Sequence, residues 1–368
     1  MKKVGLFAIA LIGIFYACSS EDSSSTSGDN YDRTVLLTNW ADNLIIPSYL
    51  NFQNKVNALE TSVNTFNSTV NQTNLDNVRT KWVEAYKAFQ YVGFYTIGKA
   101  EEIAFLEKTN IYPINAADID TNISSGTYDL NLISQYDSQG FPAIDYMLFG
   151  IGVDDTAILN LYSTNQNYKQ YLTDLVSVIK TNTDAIVTSW NSSYRASFIS
   201  NSGNSAGSSV NLMVNNYVYY FEKHLRAGKV GIPAGIYSNG TTYSDKVEAS
   251  YRANLSKELL QEGTKAAKDF FNGKHFNSAT EGVSLKSYLE FLNAVRSGQS
   301  LTTIINNQFT AIETTNASLD ANFKNQIAAD NTVMINAFDA LQQQVVYLKL
   351  DMMQALNITV DYVDADGD

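Results

Sequence analysis

The stretch MINAFDALQQQVVYLKLDM, residues 334–352, sets Met334, Phe338, Leu341, Val345, Leu348 and Met352 at spacings of four, three, four, three and four. An α-helix turns once in about 3.6 residues, so these six side chains share one stripe while Gln342, Gln343 and Asp351 fall off it. A seam of that period belongs in a near-parallel helix bundle, where the ridges of one helix enter the grooves of its neighbour. The same pattern runs through residues 34–66, on Leu36, Trp40, Leu44, Tyr49, Phe52, Val56, Leu59, Val63 and Phe66. Pro47 is expected to kink that element or to begin its longer part. Thr73 and Asp76 read as a capping pair for a second helix, whose stripe is Leu75, Val78, Trp82, Ala85, Phe89 and Val92. Together the two predict an antiparallel helical hairpin.

Further along, residues 110–126 are polar and irregular and read as a long connection. Pro142 suits the first turn of a helix running to about Phe149. A longer helix is predicted over 167–200. The glycines and serines of 201–209 give the clearest interior boundary, and helical spacing resumes over 210–227. Residues 228–240, with Gly231, Pro233 and Gly235, read as a loop. Asp245 with Glu248, and Ser278 with Glu281, read as capping pairs that open two more helices. The expectation is an all-α protein of two four-helix-bundle-like domains, at 31–200 and 210–360. Four prolines and 20 glycines in 368 residues leave little turn chemistry for a many-stranded alternative.

Apolar residues make up 45% of the chain, enough to build cores and to exclude wholesale disorder. A net charge of −12 carries no basic stripe and argues against nucleic acid as a partner. At the N-terminus, Lys2 and Lys3 precede an apolar run over residues 4–17, too short to cross a bilayer core of about 30 Å. Residues 1–17 are therefore read as a signal peptide, Cys18 as the lipidated first residue of the mature chain, and 18–30 as a flexible tether. That predicts an outer-membrane lipoprotein held to the membrane through Cys18, with the acidic Ser19-Ser20-Glu21-Asp22 segment resembling a surface-export signal. Cys18 is the only cysteine, so the mature body holds no disulfide, no cysteine-ligated zinc and no cysteine nucleophile.

Familiar catalytic motifs are missing: there is no P-loop, no Gly-x-Ser-x-Gly elbow and no His-Glu-x-x-His helix. Gly150 and Gly152 form a lone Gly-x-Gly and read as a turn. Only two histidines occur. His224 lies one residue off the stripe Val214, Tyr217, Phe221, Leu225 and reads as a partly buried, hydrogen-bonded side chain; His275, after Gly273, reads as a helix-end contact. The acidic tail Asp361, Asp364, Asp366, Asp368 lacks the spacing of a calcium loop and reads as solvated.

Residues 139–150, QGFPAIDYMLFG, carry a family resemblance. They resemble the signature of the imelysin family, Gly-x-His-x-x-Glu followed by apolar residues. Ile45-Ile46-Pro47-Ser48-Tyr49 with Phe52, the stretch WVEAYKAF at 82–89, and GKVGIPAG at 228–235 are similar to the same family. The resemblance implies a helical protein of two bundles, bacterial and outside the cytoplasm, associated with iron-regulated uptake; a peptidase activity is attached to the family name. The signature itself departs here, because Pro142 stands where the family has His and Asp145 where it has Glu. A histidine and a carboxylate three apart on a helix can bind a metal together, and proline offers no lone pair.

The expected function is thus non-catalytic: ligand binding in iron or metal-cofactor acquisition. Gly140, Pro142 and Asp145 form the expected site, with Asp145 as the metal-facing carboxylate, iron as the candidate cofactor and an outer-membrane transport component as the candidate partner. Glu101 and Glu102 are expected to support it, and Arg226 and Lys229 to reach it from the second half. The alternatives are a structural or protein-interaction module of the outer membrane and a metallopeptidase.

Overall fold

The computed structural model describes residues 29–362. The signal peptide, Cys18, the tether up to residue 28 and the tail acids Asp364, Asp366 and Asp368 lie outside the described residues. Within them the chain is all-α apart from one hairpin, in which Val295–Arg296 pairs with Gln299–Ser300.

Asp32 caps the first helix by accepting from the Val35 N–H at 3.1 Å. The helix runs as Arg33–Asn39, widens into π-type turns over Trp40–Ile45, and continues as Ile46–Ser68. Pro47 explains the irregularity, since it has no N–H to donate and leaves the carbonyl four residues earlier without its helical partner. That carbonyl, on Asn43, accepts instead from the Phe276 N–H at 2.8 Å, so a helix defect becomes a tie to the second half.

The second helix is Gln72–Phe89 and starts two residues earlier than Thr73 and Asp76 predict. Asn71, in extended backbone, accepts from the Asn74 N–H at 2.9 Å and is the cap, which places Thr73 and Asp76 already inside the helix. The first of these helices packs along Gln166–Ser189 and the second against the short helix Gly140–Phe149, which itself packs on Gln166–Ser189. The segment predicted to be an irregular connection contains a further helix, Ala116–Ser125, capped by Asn115.

Beyond 201–209, the helix Ser209–Tyr219 continues through π-type turns over Tyr220–Gly231. Residues 228–231, predicted to be loop, are therefore helical. Their glycines serve close packing: a Cβ on Gly231 would fall 2.8 Å from the Phe338 ring. Asp245 and Glu248 open no helix. Ser244–Lys246 is a single 3₁₀ turn, and the next helix, Ser256–Asn272, begins after an irregular stretch in which Glu248 is buried. Likewise Ser278 lies in a bend and Glu281 bridges to Lys274, and the following helix, Leu285–Phe291, is opened by a capping box of Ser284 with Ser287.

The seam at 334–352 forms as its period requires. Helix Thr332–Val345 runs on into wider turns at Val346–Met352, and Met334, Leu341, Leu348 and Met352 are buried completely. Side chains from either side of 201–209 meet: Trp40 packs on Phe270 with ring centroids 4.9 Å apart, Tyr31 stacks on Tyr288 at 3.9 Å, and Asn39 donates to the Val283 carbonyl at 2.8 Å. No helix among the described residues is long and apolar enough to cross a membrane.

Candidate functional site

The helix Gly140–Phe149 begins at a close approach of its backbone to that of Thr109. Gly140 has φ +78°, and a Cβ there would lie 2.3 Å from the Thr109 carbonyl oxygen. Only glycine fits this left-handed, crowded position. The approach locks residues 109–114 against the helix start. Phe141 is then clamped from the second helix, with the Trp82 indole donating to its carbonyl at 3.2 Å and the Tyr86 ring stacked on its own at 4.6 Å.

Asp145, one turn further on, is 1% exposed. Its two oxygens accept from the backbone N–H groups of Tyr251 at 2.9 Å and Arg252 at 2.8 Å. Burial pushes this carboxyl up to about 7, even though both backbone bonds and the charges of Lys324 and Arg252 pull the other way. Pro142 lies beside it, in a cleft shared with Tyr112, Pro113 and Tyr251. Both carboxylate oxygens are engaged with backbone donors, so the side chain ties residues 251–252 to the signature helix.

A buried polar network continues from there. Lys229 and Glu248, 2% and 1% exposed, form an ion pair. Glu248 also accepts from Asn110 Nδ2 at 3.0 Å, and the single hydroxyl proton of Tyr86 is shared between Asn110 Oδ1 at 2.5 Å and the same Glu248 oxygen at 3.0 Å. Desolvation draws the Lys229 ammonium below its usual range, with Glu248 working against that shift. The same burial, reinforced by the Glu248 charge, holds the Tyr86 and Tyr112 phenols well above theirs. Beside the network opens a cavity of about 280 Å3. Its walls are Asn110, Ile111, Tyr112 and Pro113 on one side and His224, Gly228 and Ile232 on the other, with Lys246 at the edge. Gly228 keeps that space open, since a Cβ would stand 3.1 Å from the Tyr112 hydroxyl. His224, drawn down to about 4 by burial and by the nearby Lys229 charge, is a neutral imidazole at pH 7.

Of the residues singled out from sequence, Gly140, Pro142, Asp145 and Lys229 are joined through the 109–114 segment. The others lie apart from it. Glu101 and Glu102 are exposed on the short helix Lys99–Glu102, where Glu102 pairs with Lys99 at 2.6 Å and Glu101 faces Tyr194. Arg226 is buried against the 334–352 seam, bonded to Gln342 and Glu222 and placed over the Phe338 ring. Sequence reasoning missed Tyr86, Asn110, Tyr112, His224 and Glu248 as site residues. Asn110 and Glu248 carried no usable signal, whereas Tyr86 sat in the 82–89 segment already noted. Among the described residues no three His, Cys, Asp or Glu side chains converge as a metal ion would require. The residues around Asp145 therefore do not fit a bare metal ion.

Comparison with known proteins follows the same lines. The model of the imelysin family, peptidase family M75, matches residues 45–352. A crystal structure from Parabacteroides distasonis, described as an iron-regulated protein A precursor, superposes with a TM-score of 0.72 at 16% identity, covering 90% of this chain and 97% of that one. An imelysin-like protein from Psychrobacter arcticum gives 0.69 at 15% identity, with the same coverage of 90% and 97%. At these identities the structural likeness speaks for the fold. No curated protein sequence matches the chain.

Proposed function

We propose, from the premise that the chain belongs to the imelysin family, that it is a cell-envelope lipoprotein, anchored through Cys18 to the outer membrane, which binds a ligand in iron or metal-cofactor acquisition and does not turn it over. The cavity of about 280 Å3 between residues 110–113 and the 224–232 helix end is the observation that carries this reading. It lies against a buried, hydrogen-bonded polar network, the kind of wall that a binding pocket needs. Gly140, Pro142 and Asp145 position that wall, and Lys229 supports it from behind. The iron link is supported by the iron-regulated description of the Parabacteroides protein and by the family match. Hydrolysis is disfavoured by the chemistry present: Asp145 already accepts two N–H bonds, and Pro142 supplies neither a metal ligand nor a proton acceptor. A transport component of the outer membrane is the partner this role implies.

Calorimetric titration of the mature protein with ferrous, ferric, zinc and haem ligands tests the reading, with Gly228→Leu as the cavity-filling variant. Binding by the wild type and its loss in a folded Gly228→Leu protein are the expected results. Chelator-sensitive peptide cleavage abolished by Asp145→Ala would replace this proposal with a metallopeptidase.

A further inference from the structure

Two polar groups on the cavity wall, the Tyr112 hydroxyl and the His224 imidazole, have no hydrogen-bond partner among the described residues. Among the described residues His224 makes ring contacts, stacked on Tyr220 with centroids 5.3 Å apart and edge-on to Tyr219 at 5.7 Å. Polar side chains that line a cavity without internal partners leave their donors and acceptors to whatever occupies it.

The charges around the cavity decide what that occupant is. Lys229 is neutralised by Glu248 behind the wall. Lys246, at the edge, lies over the Tyr243 ring at 4.1 Å and has no acidic partner among the described residues. Of the residues that line the cavity, Lys246 carries the charge, beside one neutral imidazole and one protonated phenol, with Ile111, Pro113 and Ile232 as apolar surface. A bare cation is repelled there, and a phenolate to receive it is opposed by burial and by the neighbouring Glu248. A volume near the lower end of the ~300–1,000 Å3 typical of small-molecule pockets suits a compact ligand.

We infer that the cavity takes a small organic acid, its carboxylate drawn to Lys246, with Tyr112 and His224 donating to the acid or to an adjoining hydroxyl and its apolar part lying on Ile111 and Ile232. This rests on the ligand-binding reading above and gives its ligand a chemical class: metal reaches this cavity as the chelate of such an anion.

Calorimetry on the mature protein with citrate, benzoate, ferric citrate and ferrous sulfate as separate titrants tests the inference, alongside Lys246→Ala and Tyr112→Phe. At least one acid is expected to bind more weakly as salt rises, with affinity falling about 10-fold in Lys246→Ala and several-fold in Tyr112→Phe. Melting temperatures matching the wild type establish that both variants are folded. No heat from either acid up to roughly 10 mM, or binding indifferent to Lys246→Ala, overturns the inference. If ferrous iron alone binds and the acids do not, the organic-acid inference fails while ligand binding in metal acquisition stands. If an acid binds through Lys246 and neither ferric citrate nor ferrous iron does, the inference stands and the iron link falls.

Discussion

Asp145 and His224 titrate with opposite consequences for stability. Asp145 is raised to about 7 in the folded protein, so between pH ~4 and ~7 the folded state holds a proton that the unfolded chain has released, and stability falls as pH rises through that window. His224 is lowered to about 4, so between pH ~4 and ~6.5 the unfolded chain holds the extra proton and stability rises with pH. The two slopes oppose each other, which predicts a wild-type profile flatter than that of either single variant. Urea unfolding from pH 4 to 7.5 checks this. Asp145→Asn should gain stability with rising pH up to about 6.5, and His224→Gln should lose it up to about 7. At pH 7.5 Asp145→Asn should also be less stable by about 1–3 kcal/mol, because one of its two positions offers an N–H to a backbone N–H and leaves a buried donor unmet.

At the scale of the element, the start of the helix Gly140–Phe149 is a junction where glycine decides whether the site assembles. A Cβ at residue 140 meets the Thr109 carbonyl, a backbone atom that cannot swing aside, at a φ that L-residues adopt only with strain. Gly140→Ala is predicted to destabilise the protein by about 2 kcal/mol or more, measured as a lower urea midpoint at unchanged slope. It should also weaken ligand binding, because residues 110–113 form one wall of the cavity. Pro47 offers an instructive contrast. It breaks a helical hydrogen bond, yet the freed Asn43 carbonyl is satisfied by Phe276, so the defect is absorbed by a contact more than 200 residues away in the chain.

Across the whole molecule, the Lys229–Glu248 pair joins helices from both halves through Tyr86 and Asn110. Removing one member strands a buried charge, so Lys229→Met or Glu248→Gln alone is predicted to cost about 3–5 kcal/mol. The double variant should cost clearly less than the sum, and a double-mutant cycle in urea measures that difference. The amino-acid sequence by itself determined the helical class, the burial of the 334–352 seam and the family, because hydrophobic period and local motif are short-range properties written within a few turns. It also marked Gly140, Pro142, Asp145 and Lys229 through their motifs. Tertiary structure alone decided what those residues touch. Asp145 meets the Tyr251 and Arg252 backbone about a hundred residues on, Glu248 sits in the core instead of opening a helix, and Arg226 faces the seam while Glu101 and Glu102 face solvent. Partners for buried charges are chosen by chain packing over long separations, and no periodicity in the sequence records that choice.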